Sequence, residues 1–127
     1  MRASSAVRPS AAADGALVTR AVLRAAGRLG LSNRSLSRIV GVSEASVSRM
    51  GTGSFVLTPR DKSFELALMV VRLFRSLDAI VAGDDAAARG WLTSENKALG
   101  GVPLELIQTL PGLVNVVGYL DARRALV

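Results

Sequence analysis

The feature that most constrains this chain is a lone glycine between two short segments that each read as a complete helix. In "LSRIVGVSEASVSRMGTG", from Leu36 to Gly53, Gly41 divides a run over Asn33 to Val40 from a run over Glu44 to Met50. Ser32 stands where a hydroxyl caps the first run and Ser43 where one caps the second; Gly41 and "GTG" supply the stops. Two helices crossing through a short turn need a residue that takes a left-handed conformation, a small residue at the crossing and a few apolar positions that meet inside. Gly41 meets the first need and Ser37 the second. Leu36, Val40, Val42, Val47 and Met50 form the inner set. With those positions turned inward, Glu44, Ala45, Ser48 and Arg49 project outward.

The rest of the chain reads as helical too. Half of its 127 residues are hydrophobic but only 4% are aromatic, a mixture of Ala, Leu and Val that suits packed helices better than a sandwich of strands. The expected fold class is all-α: an amino-terminal helix-turn-helix bundle followed by a small helical dimerisation or partner-binding domain. Residues 1–14 are Ala/Ser-rich without periodicity and read as disordered. "ALVTRAVLRAAGRLG" places Val18, Val22, Ala26 and Leu29 on one helical face and Arg20, Arg24 and Arg28 on another, which reads as a solvated stripe. "TPRD" predicts a helix capped by Thr58, with Pro59 in its first turn, running to about Val81. Phe64, Leu68, Val71 and Phe74 define its expected inward face, widened by Leu66, Val70, Leu73, Leu77 and Ile80. A helix this apolar is buried over most of its circumference, against its own chain or a second copy. Asp84 caps a segment carrying Trp91, and Pro103 opens another. Pro111 and Gly112 break the chain before a last helix over about 113–126, with Val114, Val117 and Leu120 inward. "SFVL", Ser54 to Leu57, is the one stretch that could be a strand. The resulting division is 1–14, 15–58 and 59–127.

Charge separates the two halves. Residues 1–60 carry nine arginines against Asp14 and Glu44, a balance of +7, whereas residues 61–127 carry seven basic and eight acidic groups, a balance of −1. The first half can neutralise phosphates and the second cannot do so on charge alone. The chain has no cysteine and no histidine, so thiolate sites and the usual neutral-pH general base are missing. No metal-ligand spacing occurs, and no glycine-rich loop ends in Lys-Ser/Thr to cradle phosphates. The acidic pairs Asp84/Asp85 and Glu95/Glu105 do not make a catalytic reading. We expect no enzyme, no metal and no cofactor. The longest apolar run, "LALMVV", falls far short of the about 20 residues that span a bilayer, and "MRASSAVRPSAAADG" lacks a signal peptide's continuous apolar stretch. A cytoplasmic protein with no membrane partner is expected.

The stretch "LSRIVGVSEASVSRM" resembles the helix-turn-helix of phage-repressor-like (Xre family) DNA-binding domains: scaffold helix, Gly-Val-Ser turn, recognition helix. The resemblance implies that Ser43 and the helix start meet a phosphate or the first base edge, and that Glu44, Ala45, Ser48 and Arg49 enter the major groove. Arg49 is suited to guanine, Ser46 and Ser48 to bases or phosphates, and Arg34 and Arg38 to the DNA backbone. Glu44 is the awkward member, able to accept from cytosine but repelled by phosphates.

A second string, "WLTSENKALGGVPLELIQTLPGLVNVVGYL" (Trp91 to Leu120), resembles the toxin-binding domain of Xre/MbcA/ParS antitoxins over roughly residues 62–127. Its order of Trp-Leu, Asn96, Leu99-Gly-Gly and Pro103-Leu-Glu-Leu is more specific than the helix-turn-helix. It departs from the family in having only Val102 between the glycines and the proline. The resemblance implies a type II antitoxin that dimerises through its carboxy-terminal domain, covers the active site of a RES-domain toxin that depletes NAD⁺, and binds its own promoter DNA. Trp91, Asn96 and Leu99 are candidate toxin-binding residues, although Trp91, Leu99, Gly100, Gly101 and Pro103 serve the fold first. Arg123, Arg124, Leu126 and Val127 form a short basic tail able to enter the toxin's cleft. Two other readings stand beside this one: a stand-alone regulator whose second domain dimerises or senses a small ligand, and an adaptor whose helix-turn-helix no longer binds DNA.

Overall fold

A computed structural model describes residues 9–127, and every regular element among them is helical. The helices are α1 (Pro9–Leu29), α2 (Asn33–Val40), α3 (Glu44–Thr52), α4 (Lys62–Ile80), α5 (Asp85–Thr93), α6 (Pro103–Leu106) and α7 (Leu110–Arg124). Helix α4 is the strut: it packs along α1 and against α2 on one side and along α7 on the other. One continuous core runs from Val18 and Val22 on α1, through Leu36, Val47 and Leu73, to Val116 and Leu120 on α7.

The start of α1 differs from the disordered stretch expected over 1–14. Residues 9–14 are helical, continuous with the Val18/Val22/Ala26/Leu29 face, which is buried as its spacing requires; residues 1–8 lie outside the described residues. The segment after α3 is not a strand. Instead, Leu57 is buried and its N–H donates to the Thr19 hydroxyl at 3.0 Å, which in turn donates to the Gly15 carbonyl at 2.7 Å. A single buried hydroxyl thereby satisfies a loop N–H that would otherwise be orphaned.

Thr58 and Pro59 do not open α4. They form a turn closed by the Asp61 N–H on the Thr58 carbonyl, and Asp61 is the residue that precedes the helix. The Asp61 carboxylate accepts from the Thr58 hydroxyl and makes no cap bond of its own. The inward face of α4 is also rotated from the expected one. Phe64, Ala67, Val70, Leu73, Ser76 and Leu77 are buried, Val71 and Phe74 are half-buried, and Leu68 is 45% exposed. Both α1 and α7 pack on α4, and this packing leaves the small residues Ala67 and Ser76 fully buried. A reading keyed to large apolar side chains passes over both.

Pro111 and Gly112 lie inside the first turn of α7, not before it. Thr109 caps them, its hydroxyl accepting from the Gly112 N–H at 3.2 Å. The helical phase then buries Leu113, Val116, Val117 and Leu120 and turns Val114 outward, half exposed. Asp84 caps α5 as expected, its carboxylate accepting from the Ala87 N–H at 3.1 Å.

Candidate functional site

The bend at Gly41 is built from its own backbone. Gly41 takes φ +77°, and the N–H groups of Gly41 and Val42 both donate to the Ser37 carbonyl, at 2.9 and 3.2 Å. Ser32 caps α2 and Ser43 caps α3, each hydroxyl accepting from the N–H three residues on at 3.0 Å. Ser37 is buried at the crossing and donates to the Arg34 carbonyl at 2.8 Å. The chain therefore turns with its polar backbone satisfied and no unbroken rod runs through residue 41.

Helix α3 divides into two faces. Val47 and Met50 are 1% and 3% exposed, whereas Ser43, Glu44, Ala45, Ser48 and Arg49 lie open to solvent. Ser46 belongs with the inner face instead of the outer one. It is buried, and its hydroxyl accepts from the Ser43 O–H at 3.0 Å and from Nη2 of Arg49 at 3.2 Å. Its role is to hold those two neighbours, both of its side-chain hydrogen bonds being made to residues three positions away on the same helix end. Ser46 thereby restrains the Arg49 guanidinium while leaving most of its donors free. Glu44 occupies the first turn of α3, where the helix dipole favours a carboxylate. Arg34 and Arg38 are exposed one turn apart on α2. Among the described residues no salt bridge engages Arg34, Arg38 or Arg49. The result is an outward helix with a restrained arginine, flanked by uncommitted cations.

The carboxy-terminal candidates split into two kinds. Asn96 is consumed by its turn: its side-chain oxygen accepts from the Leu99 N–H at 3.0 Å, its N–H donates to Gly101 at 2.8 Å, and its carbonyl receives Gly100 and Gly101. Leu99 is half-buried against the core. The single residue between glycines and proline suffices because Gly101 pairs directly with Asn96 and Val102 leads straight into buried Pro103. Trp91 and Arg123 are different. Both meet Tyr119: the Trp91 and Tyr119 rings stack 6.4 Å apart at 20°, and the Arg123 guanidinium lies 5.4 Å from the centre of the Tyr119 ring. Arg124, Leu126 and Val127 are exposed beyond this column.

Three features escaped the sequence. Tyr119 is the hinge of the aromatic column, and its signal was the placement of the chain's single tyrosine four residues before Arg123. Arg28 is not part of a solvated stripe. It pairs with Asp78 on α4 at 3.1 Å and Asp85 on α5 at 3.0 Å, and covers the Phe74 ring at 4.8 Å. The Asp85 carboxylate, followed by Asp78, raises the pKa of Arg28 further. Asp121 accepts from the Ser76 hydroxyl at 2.7 Å and pairs with Arg72. The Ser76 hydroxyl, then Arg72 and Arg124, hold the Asp121 carboxyl below the usual carboxylate range against the opposing effect of its partial burial.

Among the described residues no cluster of acidic, histidine or cysteine side chains could hold a metal ion, and no helix is long and apolar enough to cross a membrane. Two family models match the chain. The antitoxin Xre-like helix-turn-helix domain covers residues 8–72 and the antitoxin Xre/MbcA/ParS C-terminal toxin-binding domain covers residues 76–125. They meet within α4, the helix that packs against both ends of the molecule. A comparison with curated proteins finds no match.

Proposed function

We propose, from the premise that this chain belongs to the Xre-type antitoxins, that it represses its own operon through α3 and silences a RES-domain, NAD⁺-degrading toxin through α7 and its tail. The observation that carries the first part is the left-handed Gly41, which leaves Ser48 and Arg49 outward over a sealed Val47/Met50 face. In this reading α3 lies in the major groove with Arg49 toward a guanine edge. Ser43 and the start of α3 meet a phosphate, Glu44 and Ala45 face the groove, and Arg34 and Arg38 anchor on the backbone. Ser46 acts by holding Arg49. Two copies joined through the carboxy-terminal half would place two such helices on successive turns of the duplex. The protein would act in the cytoplasm, where promoter and toxin meet.

For the toxin, the Trp91–Tyr119–Arg123 column is the rigid part of the contact and Arg124, Leu126 and Val127 the part that enters the cleft. Asn96 and Leu99 shape the turn between α5 and α6. A pocket that binds a dinucleotide pyrophosphate welcomes guanidinium groups, which supports Arg123 and Arg124 as the plug. The test is co-expression in growth assays of toxin with the full chain or with a chain lacking Arg123 to Val127. Growth rescued by the full chain alone, with both chains binding promoter DNA equally, is the expected result. Rescue by the shortened chain would refute the plug, and a co-purifying toxin that leaves NAD⁺ intact would refute the RES partner.

A further inference from the structure

The face between α1 and α4 carries an open groove of about 370 Å³ that neither the α3 surface nor the Trp91 column uses. Its floor is apolar: Leu17, 59% exposed, and Ala21 from α1 face Val71 and Phe74 from α4. Its rim is cationic, with Arg20 and Arg24 on one side and Arg75 on the other. All three guanidinium groups are exposed, and no salt bridge among the described residues reaches them. By contrast Arg28, one turn further along the same stripe, is tied to Asp78 and Asp85.

We infer that this groove docks an acidic amphipathic helix of a partner protein, with one or two bulky apolar side chains on the floor and carboxylates on the arginines. The charge on the rim selects the occupant. Arg20 and Arg24 are one turn apart on α1, about 6 Å along its axis, a spacing that matches carboxylates on successive turns of a docked helix. A second copy docked symmetrically would set arginines against arginines. The chain's first eight residues carry Arg2 and Arg8 and no carboxylate, so they cannot supply the missing charge. Duplex DNA would satisfy the arginines, but its backbone offers nothing apolar to cover Leu17 and Phe74.

The probe is a fluorescent helical peptide of about four turns, with leucines along one face and glutamates flanking them. Its controls are a peptide of the same composition in scrambled order and a labelled random-sequence duplex. The full chain should bind the ordered peptide and not the scrambled one, with NMR shifts at Leu17, Ala21, Val71 and Phe74. Reversing Arg20, Arg24 and Arg75 to Glu should weaken binding by at least roughly tenfold, from three exposed pairs of modest strength. Milder R20Q/R24Q/R75Q substitutions, with an unchanged urea midpoint, should give a smaller loss in the same direction. No binding, equal binding of the scrambled peptide, or shifts elsewhere would overturn the inference. So would duplex binding that depends on these arginines, or self-association that the reversals abolish.

Discussion

Gly41 and Asp121 show how much single residues contribute, one through backbone conformation and one through charge. At Gly41 an added Cβ meets nothing closer than a Leu66 methyl at 3.9 Å, so substitution there tests conformation alone. Gly41→Ala should cost about 1–2 kcal/mol, the penalty for an L-residue at left-handed φ, and Gly41→Asn less; urea denaturation measures both. Asp121 makes a prediction about pH. Its folded pKa is depressed, so its contribution is present above the unfolded pKa of about 3.9 and is lost as pH falls through the folded value. Asp121→Asn should therefore lose about 1 kcal/mol near neutrality. The gap from the parent should stay constant above about pH 5 and close under acid. A gap that widened on acidification would contradict the Ser76 and Arg72 assignment.

Helix α7 gives glycine two opposite meanings within one element. A Cβ on Gly112 would collide with the Leu106 carbonyl oxygen, whereas one on Gly118 meets nothing within 4 Å. Gly112→Ala should destabilise by about 2–3 kcal/mol through overpacking, and Gly118→Ala should stabilise by up to about 1 kcal/mol; thermal melts of the two variants give the signs. What the sequence showed at this scale follows the same logic. Helices α2 and α3 were legible almost to the residue because Ser32, Ser43 and Gly41 act locally. The burial of Ala67 and Ser76 on α4 was not, because it depends on helices distant in sequence pressing from both sides. Pro111 and Gly112 read as a break because the fold places them in a first turn that only Thr109 and the nearby Leu106 carbonyl explain. Among the site residues, the outward Ser48 and Arg49 followed from the inward Val47 and Met50. Ser46 did not follow, since its hydroxyl is committed to Ser43 and Arg49, a choice that side-chain geometry makes.

The whole molecule is organised around α4, where the two family matches meet and where one core joins the two functional ends. Arg28 reinforces the join by linking α1 to α4 and α5. Such a chain should unfold as one unit: Trp91 fluorescence, reporting the carboxy-terminal half, and far-UV circular dichroism should share one denaturation midpoint. Separate midpoints would mean two independent domains. The claim on which the rest depends is that α3 reads DNA with Arg49, and binding of the full chain to the DNA upstream of its gene tests it most directly. Arg49→Ala should weaken binding to that fragment by roughly tenfold or more per recognition helix, the loss of a bidentate base contact. Affinity for random duplex should change far less, and affinity for both should fall with salt. Equal affinity of parent and variant for the upstream fragment would contradict the account.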